Sequence, residues 1–224
     1  MFLGHFALAI AAKPLAPRTS LGTLVAAAQL ADLVWPALLL LGTERAAVSA
    51  DPHAIKPLVF IDYPWSHSLL TLAGLGALFG MGNYLLRGDA RVAIAIALLV
   101  PSHWLLDWIA HVPDLPLYPG TEAHHGLGLW RWPVATLLLE LALFALAAAL
   151  YGLTTRPRDR TGRWAWIALT AVLVAIAVAD VSGRPPPDIR AVAYAGLGMS
   201  LFVVWAAWID RHRCHLGESF RSCA

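Results

Sequence analysis

The chain has 224 residues, of which 59% are hydrophobic and 13% charged, with a formal net charge of +2 and a mean hydropathy of +0.65. A soluble domain of this length carries about 25% charged residues, so the composition excludes an ordinary soluble enzyme and points to an integral membrane protein. A net charge this small, with basic residues confined to short loops, also excludes nucleic acid as a partner and assigns those residues to membrane topology.

The first element, Met1 to Ala12, is apolar and has no basic n-region, because Lys13 and Arg18 follow it. It therefore does not read as a signal peptide. Twelve helical residues reach only ~18 Å, which predicts a re-entrant or interfacial half-helix. Six spans follow, each near the ~20 residues a bilayer requires: 20–41, 66–86, 92–112, 132–153, 164–181 and 189–209. The expected fold is an all-α, polytopic membrane helix bundle of one domain over 1–224. It has about six transmembrane helices, the N-terminal half-helix, a basic loop at 154–163 and a polar tail at 210–224.

With the N-terminus inside, eleven Lys and Arg fall on the inner side and five on the outer. The positive-inside rule then predicts that both termini are cytoplasmic. Gly76 and Gly80 give the second span a small-xxx-small face for close helix packing. Trp104, Trp108, Trp130 and Trp132 fit an interfacial belt. Cys214 and Cys223 lie in the tail without Cys-x-x-Cys spacing, so neither a disulfide nor a thiolate metal site is expected.

The unusual feature lies in the third span. His103, Asp107 and His111 stand at i, i+4 and i+8, and steps of four turn only ~40° around a helix. Ionisable groups in a membrane are costly and mark function by default. His103 and His111 are ~12 Å apart along the axis, so both do not easily ligate one ion. Either one is a ligand and the other stands behind it, or Asp107 bridges two metals. Asp32 in the first span, Asp62 and His67 at the mouth of the second, and His124 and His125 after the third reach the outer half or outer face in this topology. His5 starts on the inner side and joins only if its segment dips into the bilayer. Such a set can hold a metal or relay protons. N and O donors without Cys suit zinc, and manganese or iron less well.

The pattern resembles a family of bacterial inner-membrane proteins known as membrane-bound metal-dependent hydrolases. The matching residues are His5, Asp32, His67-Ser68, His103 to Asp107 and the Gly-rich segment Gly126-Leu127-Gly128-Leu129-Trp130-Arg131-Trp132-Pro133. They cover roughly the first 140 residues. The family's first-span motif has two Asp where this chain has only Asp32, and Asp62 stands where a His is usual. The resemblance implies a multi-pass protein of the bacterial inner membrane with one or two divalent ions, zinc foremost. His67, His103 and Asp107, with His5 or Asp32, would be the ligands, and Asp62 or His111 the general base or a positioning group. Activated water would attack a lipid-like phosphoester, ester or amide at the outer interface, with membrane lipids as surroundings. The alternatives are a proton-coupled carrier, since rows of His and Asp are also proton-relay material, and a structural or partner-binding membrane protein.

Overall fold

A computed structural model of the chain describes residues 1–49, 57–182 and 185–216. Lys56, Arg184, Arg221 and Cys223, used in the sequence reading, lie outside the described residues. The helices, in order, are α1 (Leu3–Ala11), α2 (Leu21–Ala28), α3 (Leu30–Leu40), α4 (Pro64–His67), α5 (Leu69–Arg87), α6 (Ala90–Ala110), α7 (Pro133–Thr154), α8 (Arg160–Ser182), α9 (Ile189–Gly198) and α10 (Ser200–Arg211). The fold is an all-α bundle. Five helical stretches are long and apolar enough to cross a membrane, counting α9 and α10 as one, and there are six if the bent pair α2 and α3 is one span.

Three short antiparallel ladders tie the loops: β1 (Arg45–Val48) with β2 (Leu58–Asp62), β3 (Leu115–Pro116) with β4 (His124–His125), and β5 (Thr155–Pro157) with β6 (Arg213–His215). Chain alternation puts the first two ladders at one end of the bundle and the third at the other.

Local sequence sets the helix ends. Asp89 caps α6 by accepting from the N–H groups of Arg91 and Val92, at 3.0 and 3.2 Å, and Gly88 turns the chain there at φ +71°. A left-handed residue of this kind is where glycine is favoured. Ser68 caps α5 through Thr71 N–H and so detaches His67 from the second span. His67 sits in the separate turn α4, and the second span begins at Leu69 rather than Ser66.

The small-residue face of α5 is used within the chain. A Cβ on Gly76 would lie 2.4 Å from the Ala97 carbonyl oxygen, and one on Gly80 2.6 Å from that of Ala93. Ala97 is four residues before Pro101, which has no N–H to offer it. Gly76 therefore lets α5 close against α6 where the ladder of α6 is interrupted.

The first span differs from the continuous helix expected. It bends by 57° between α2 and α3, at Gln29. The half-helix α1 folds back into the bundle, packed on α2, α6 and α7. Its Lys13 end pairs with Asp210 at the end of α10, and its other end reaches the depth of Asp107. Of the four tryptophans expected at the interface, Trp108 and Trp132 are exposed. Trp104 is buried, donating its indole N–H to the Pro116 carbonyl at 3.0 Å, and Trp130 lies against His111.

Candidate metal centre

Asp107 is the hub. On its Oδ1 side stand His5 Nε2 at 3.1 Å and the Met1 amino group. On its Oδ2 side stand His103 Nε2 at 3.1 Å, His111 Nε2 at 3.7 Å and His67 Nε2 at 4.0 Å. Asp32 Oδ1 completes the group, 3.5 Å from His67 Nε2 and 3.8 Å from His103 Nε2. The histidine and Asp107 side chains are at most 3% exposed, and Asp32, at 25%, gives the cluster its opening.

Each histidine is aimed by its other nitrogen. His103 Nδ1–H donates to the Ala28 carbonyl at 2.9 Å, an oxygen displayed where the first span bends. His111 Nδ1–H donates to Asp114 Oδ1 at 2.9 Å, which also accepts from the Tyr63 hydroxyl at 2.8 Å. Burial, and then the Asp114 carboxylate, push the Tyr63 phenol far above its ordinary range, so it remains a donor. His67 Nδ1 meets Ser66 Oγ at 2.7 Å. These bonds leave the Nε2 atoms of His67, His103 and His111 facing carboxylate oxygens.

The donor set fits a divalent ion. A tetrahedral site with bonds of about 2.0–2.2 Å has its donor atoms roughly 3.3–3.6 Å apart. The four His-to-Asp separations among His67, His103, Asp32 and Asp107 run from 3.1 to 4.0 Å. His103 Nε2 makes no hydrogen bond despite its 3.1 Å approach to Asp107, and a buried nitrogen without a partner is costly unless something fills its need. Among the described residues two donor triads are present, His5-His103-Asp107 and Asp32-His67-His103. They share His103, whose Nδ1 is committed to Ala28, so only one triad at a time can use it.

The structure thus brings together His5, Asp32, His67, His103, Asp107 and His111. His5 arrives because α1 packs into the bundle against α6, and it stacks on His103 with ring centres 3.6 Å apart. His103 and His111 both reach Asp107 because it lies between them and His111, just past the end of α6, has extended backbone at ψ 149°. Asp62 is not part of the group. It is exposed at the end of β2, 3.6 Å from Arg45. His124 and His125 form β4 over the loop, away from the hub.

Sequence reasoning missed Glu44, Asp114 and Glu140. Glu44 is 1% exposed and Asp114 holds His111. Glu140, in the fourth span, accepts from Leu3 N–H at 2.5 Å and anchors α1. An acidic residue inside the fourth span was the one signal available for Glu140. The Gly-rich segment acts as a strap. Leu127 N–H and Gly128 N–H donate to the carbonyls of Trp108 and His111, each at 2.7 Å. Helix ends leave such carbonyls unpaired, and the strap closes the end of α6 beneath the cluster. The aromatic wall over His67 and His111 comes from Trp35, Phe60, Tyr63 and Trp130.

The chain matches no protein-family model, no curated protein and no solved structure.

Proposed function

We propose that the protein is a metal-dependent hydrolase of the bacterial inner membrane, with the Lys13 to Arg18 turn and the C-terminal tail in the cytoplasm and the cluster toward the outer face. The observation that carries this reading is the convergence of the His67 and His103 Nε2 atoms, each aimed by its Nδ1 bond, on two carboxylates. Imidazole ligands whose second nitrogen is held by a carbonyl or carboxylate are the usual second layer of a metal site. The motif resemblance agrees with it.

His67, His103, Asp32 and Asp107 would hold one zinc ion, with His5 donating to the far oxygen of Asp107. When bound, the ion supplies a Lewis acid and a water whose pKa is lowered toward about 7. His111, held by Asp114 and packed at a tilt on Trp130 with ring centres 3.8 Å apart, presents Nε2 on the Asp107 side as the proton acceptor. The partly exposed edge of Asp32 is where substrate enters. The apolar surface around the cluster favours a lipid-like phosphoester, ester or amide. Exposure of purified protein in lipid nanodiscs to phosphoester, ester and amide lipids tests this. Turnover lost in His103→Ala and Asp107→Ala, and sharply reduced in His111→Gln, is expected. Turnover that persists in both alanine variants overturns the reading.

The break of the first span beside the cluster favours a second reading, a proton-coupled carrier, because transporters place sites at discontinuous helices. Uptake into proteoliposomes driven by a pH gradient, in protein with no bound metal, distinguishes it.

A further inference from the structure

Glu44 belongs to no motif and touches no proposed ligand, yet it is 1% exposed. It lies in the short turn between α3 and β1. Its Oε1 accepts from the backbone N–H groups of Trp65 and Ser66, both at 2.8 Å, in the first turn of α4. Its Oε2 accepts from the Ser66 hydroxyl at 2.6 Å. An ionised carboxylate only accepts. The Ser66 hydrogen is therefore spent on Glu44, and Ser66 Oγ can meet His67 Nδ1, 2.7 Å away, only as an acceptor. The proton of His67 is then on Nδ1, and the lone pair on Nε2 faces Asp32 and Asp107.

We infer that Glu44 is a positioning residue that sets the tautomer of His67 through Ser66 and so makes Nε2 a ligand. The chain from carboxylate to hydroxyl to imidazole fixes both the ring proton and, through the two backbone N–H groups, the turn that carries the ring. His103 and His111 are each aimed by one direct acceptor. His67 is aimed at one remove, and reversing its hydroxyl reverses the imidazole.

That reversal gives an isosteric test. In Glu44→Gln the carbonyl oxygen retains the two backbone N–H groups, while the amide NH2 replaces Oε2 and donates to Ser66 Oγ. The Ser66 hydroxyl then donates to His67 Nδ1, and the ring proton moves to Nε2, where it blocks ligation. The inference rests on the metal reading for its second readout but not for its first. The first is the tautomer of His67 in metal-free protein, read from imidazole nitrogen shifts in labelled protein in detergent. Wild type is expected as the Nδ1–H form and Glu44→Gln as the Nε2–H form. The second is zinc affinity by chelator competition, expected to fall ~10–100-fold in Glu44→Gln, the range for residues that orient ligands. It should fall no further when Glu44→Gln is added to His67→Ala.

Ser66→Ala keeps the two backbone bonds of Glu44 and serves if the Gln variant does not fold. It is expected to lose the bias toward Nδ1–H and to weaken zinc in the same direction. An unchanged His67 tautomer in both variants overturns the inference. Zinc affinity unchanged in a variant whose tautomer has switched overturns the ligand role. Wild-type protein that binds no zinc but shows the predicted tautomers overturns the metal reading alone.

Discussion

The two ends of the bundle both bury charge, and they do so in opposite ways. At the end that carries Lys13 and Arg213 the charges are paired. Lys13 Nζ donates to Asp210 and to the Thr19 carbonyl, each at 2.7 Å. Arg213 donates to Thr155 Oγ1, from Nη2 at 2.9 Å and from Nε at 3.1 Å, and to the Gly162 carbonyl at 3.1 Å. Each of these cations meets acceptors from another part of the chain, and the result fastens helix ends together. At the end that carries the cluster, the Nε2 atoms of His67, His103 and His111 crowd onto the oxygens of Asp32 and Asp107 at 3.1 to 4.0 Å. Paired charge that joins helix ends is the mark of structure, and a buried convergence of imidazoles on carboxylates is where an ion can be bound.

This contrast can be broken at either end. The largest effect on stability is expected from Lys13→Ala, which leaves Asp210 partly buried without its cation. Breaking a buried pair costs about 3–5 kcal/mol, and because Asp210 retains 18% exposure the lower figure is expected in denaturant unfolding. Zinc content per folded protein should not change. His103→Ala is the converse: zinc affinity is expected to drop by at least ~100-fold, beyond the range for residues that only orient ligands, with a smaller loss of stability than Lys13→Ala. Gly126→Ala tests the strap under the cluster. Its Cβ would lie 2.2 Å from the Val112 carbonyl oxygen and 2.5 Å from that of His111, and overpacking of this kind costs roughly 1–3 kcal/mol. Thermal unfolding should show that loss together with weakened zinc binding.

Smaller effects sharpen the comparison. Asp62→Asn removes an exposed pair with Arg45, worth about 0–1 kcal/mol, and should change zinc affinity less than about twofold if Asp62 lies outside the centre as its position indicates. At the Arg213 end, the Gly162 N–H first, and then His212, hold the Asp159 carboxyl below its usual range. A depressed carboxyl contributes stability above its unfolded value, near pH 4, and loses it as pH falls through its folded value. Asp159→Asn should therefore flatten the acid limb of the stability profile by lowering stability at neutral pH while leaving it almost unchanged at strongly acid pH.

Sequence order made some of this legible and hid the rest for physical reasons. His103 and Asp107 could be paired because a four-residue step fixes their relation on any helix. Asp32 and His67 stood out because charge inside or at the mouth of a span needs a reason. Gly76 and Gly80 were likewise readable as a packing face, since only small residues permit such approach. His5 was harder, because its depth depends on α1 turning back into the bundle, and that turn is held by Glu140 and Lys13 through contacts far apart in sequence. Glu44 and Asp114 were invisible. A single carboxylate in a loop acquires meaning only from what the fold sets beside it. For the same reason Trp130 could be read only as part of a belt, and its contact with the His111 ring emerges only in the fold. Gln29, a polar residue in mid-span, was the one local hint that the first span is broken.

The most direct measurement is elemental analysis of detergent-purified protein, prepared without chelator, beside Asp107→Ala. The account predicts about one equivalent of a divalent transition metal, zinc foremost, in the wild type and its loss in the variant, with both proteins folded. Wild-type protein that holds no metal even after zinc is added, or a variant that retains the full equivalent, would contradict it.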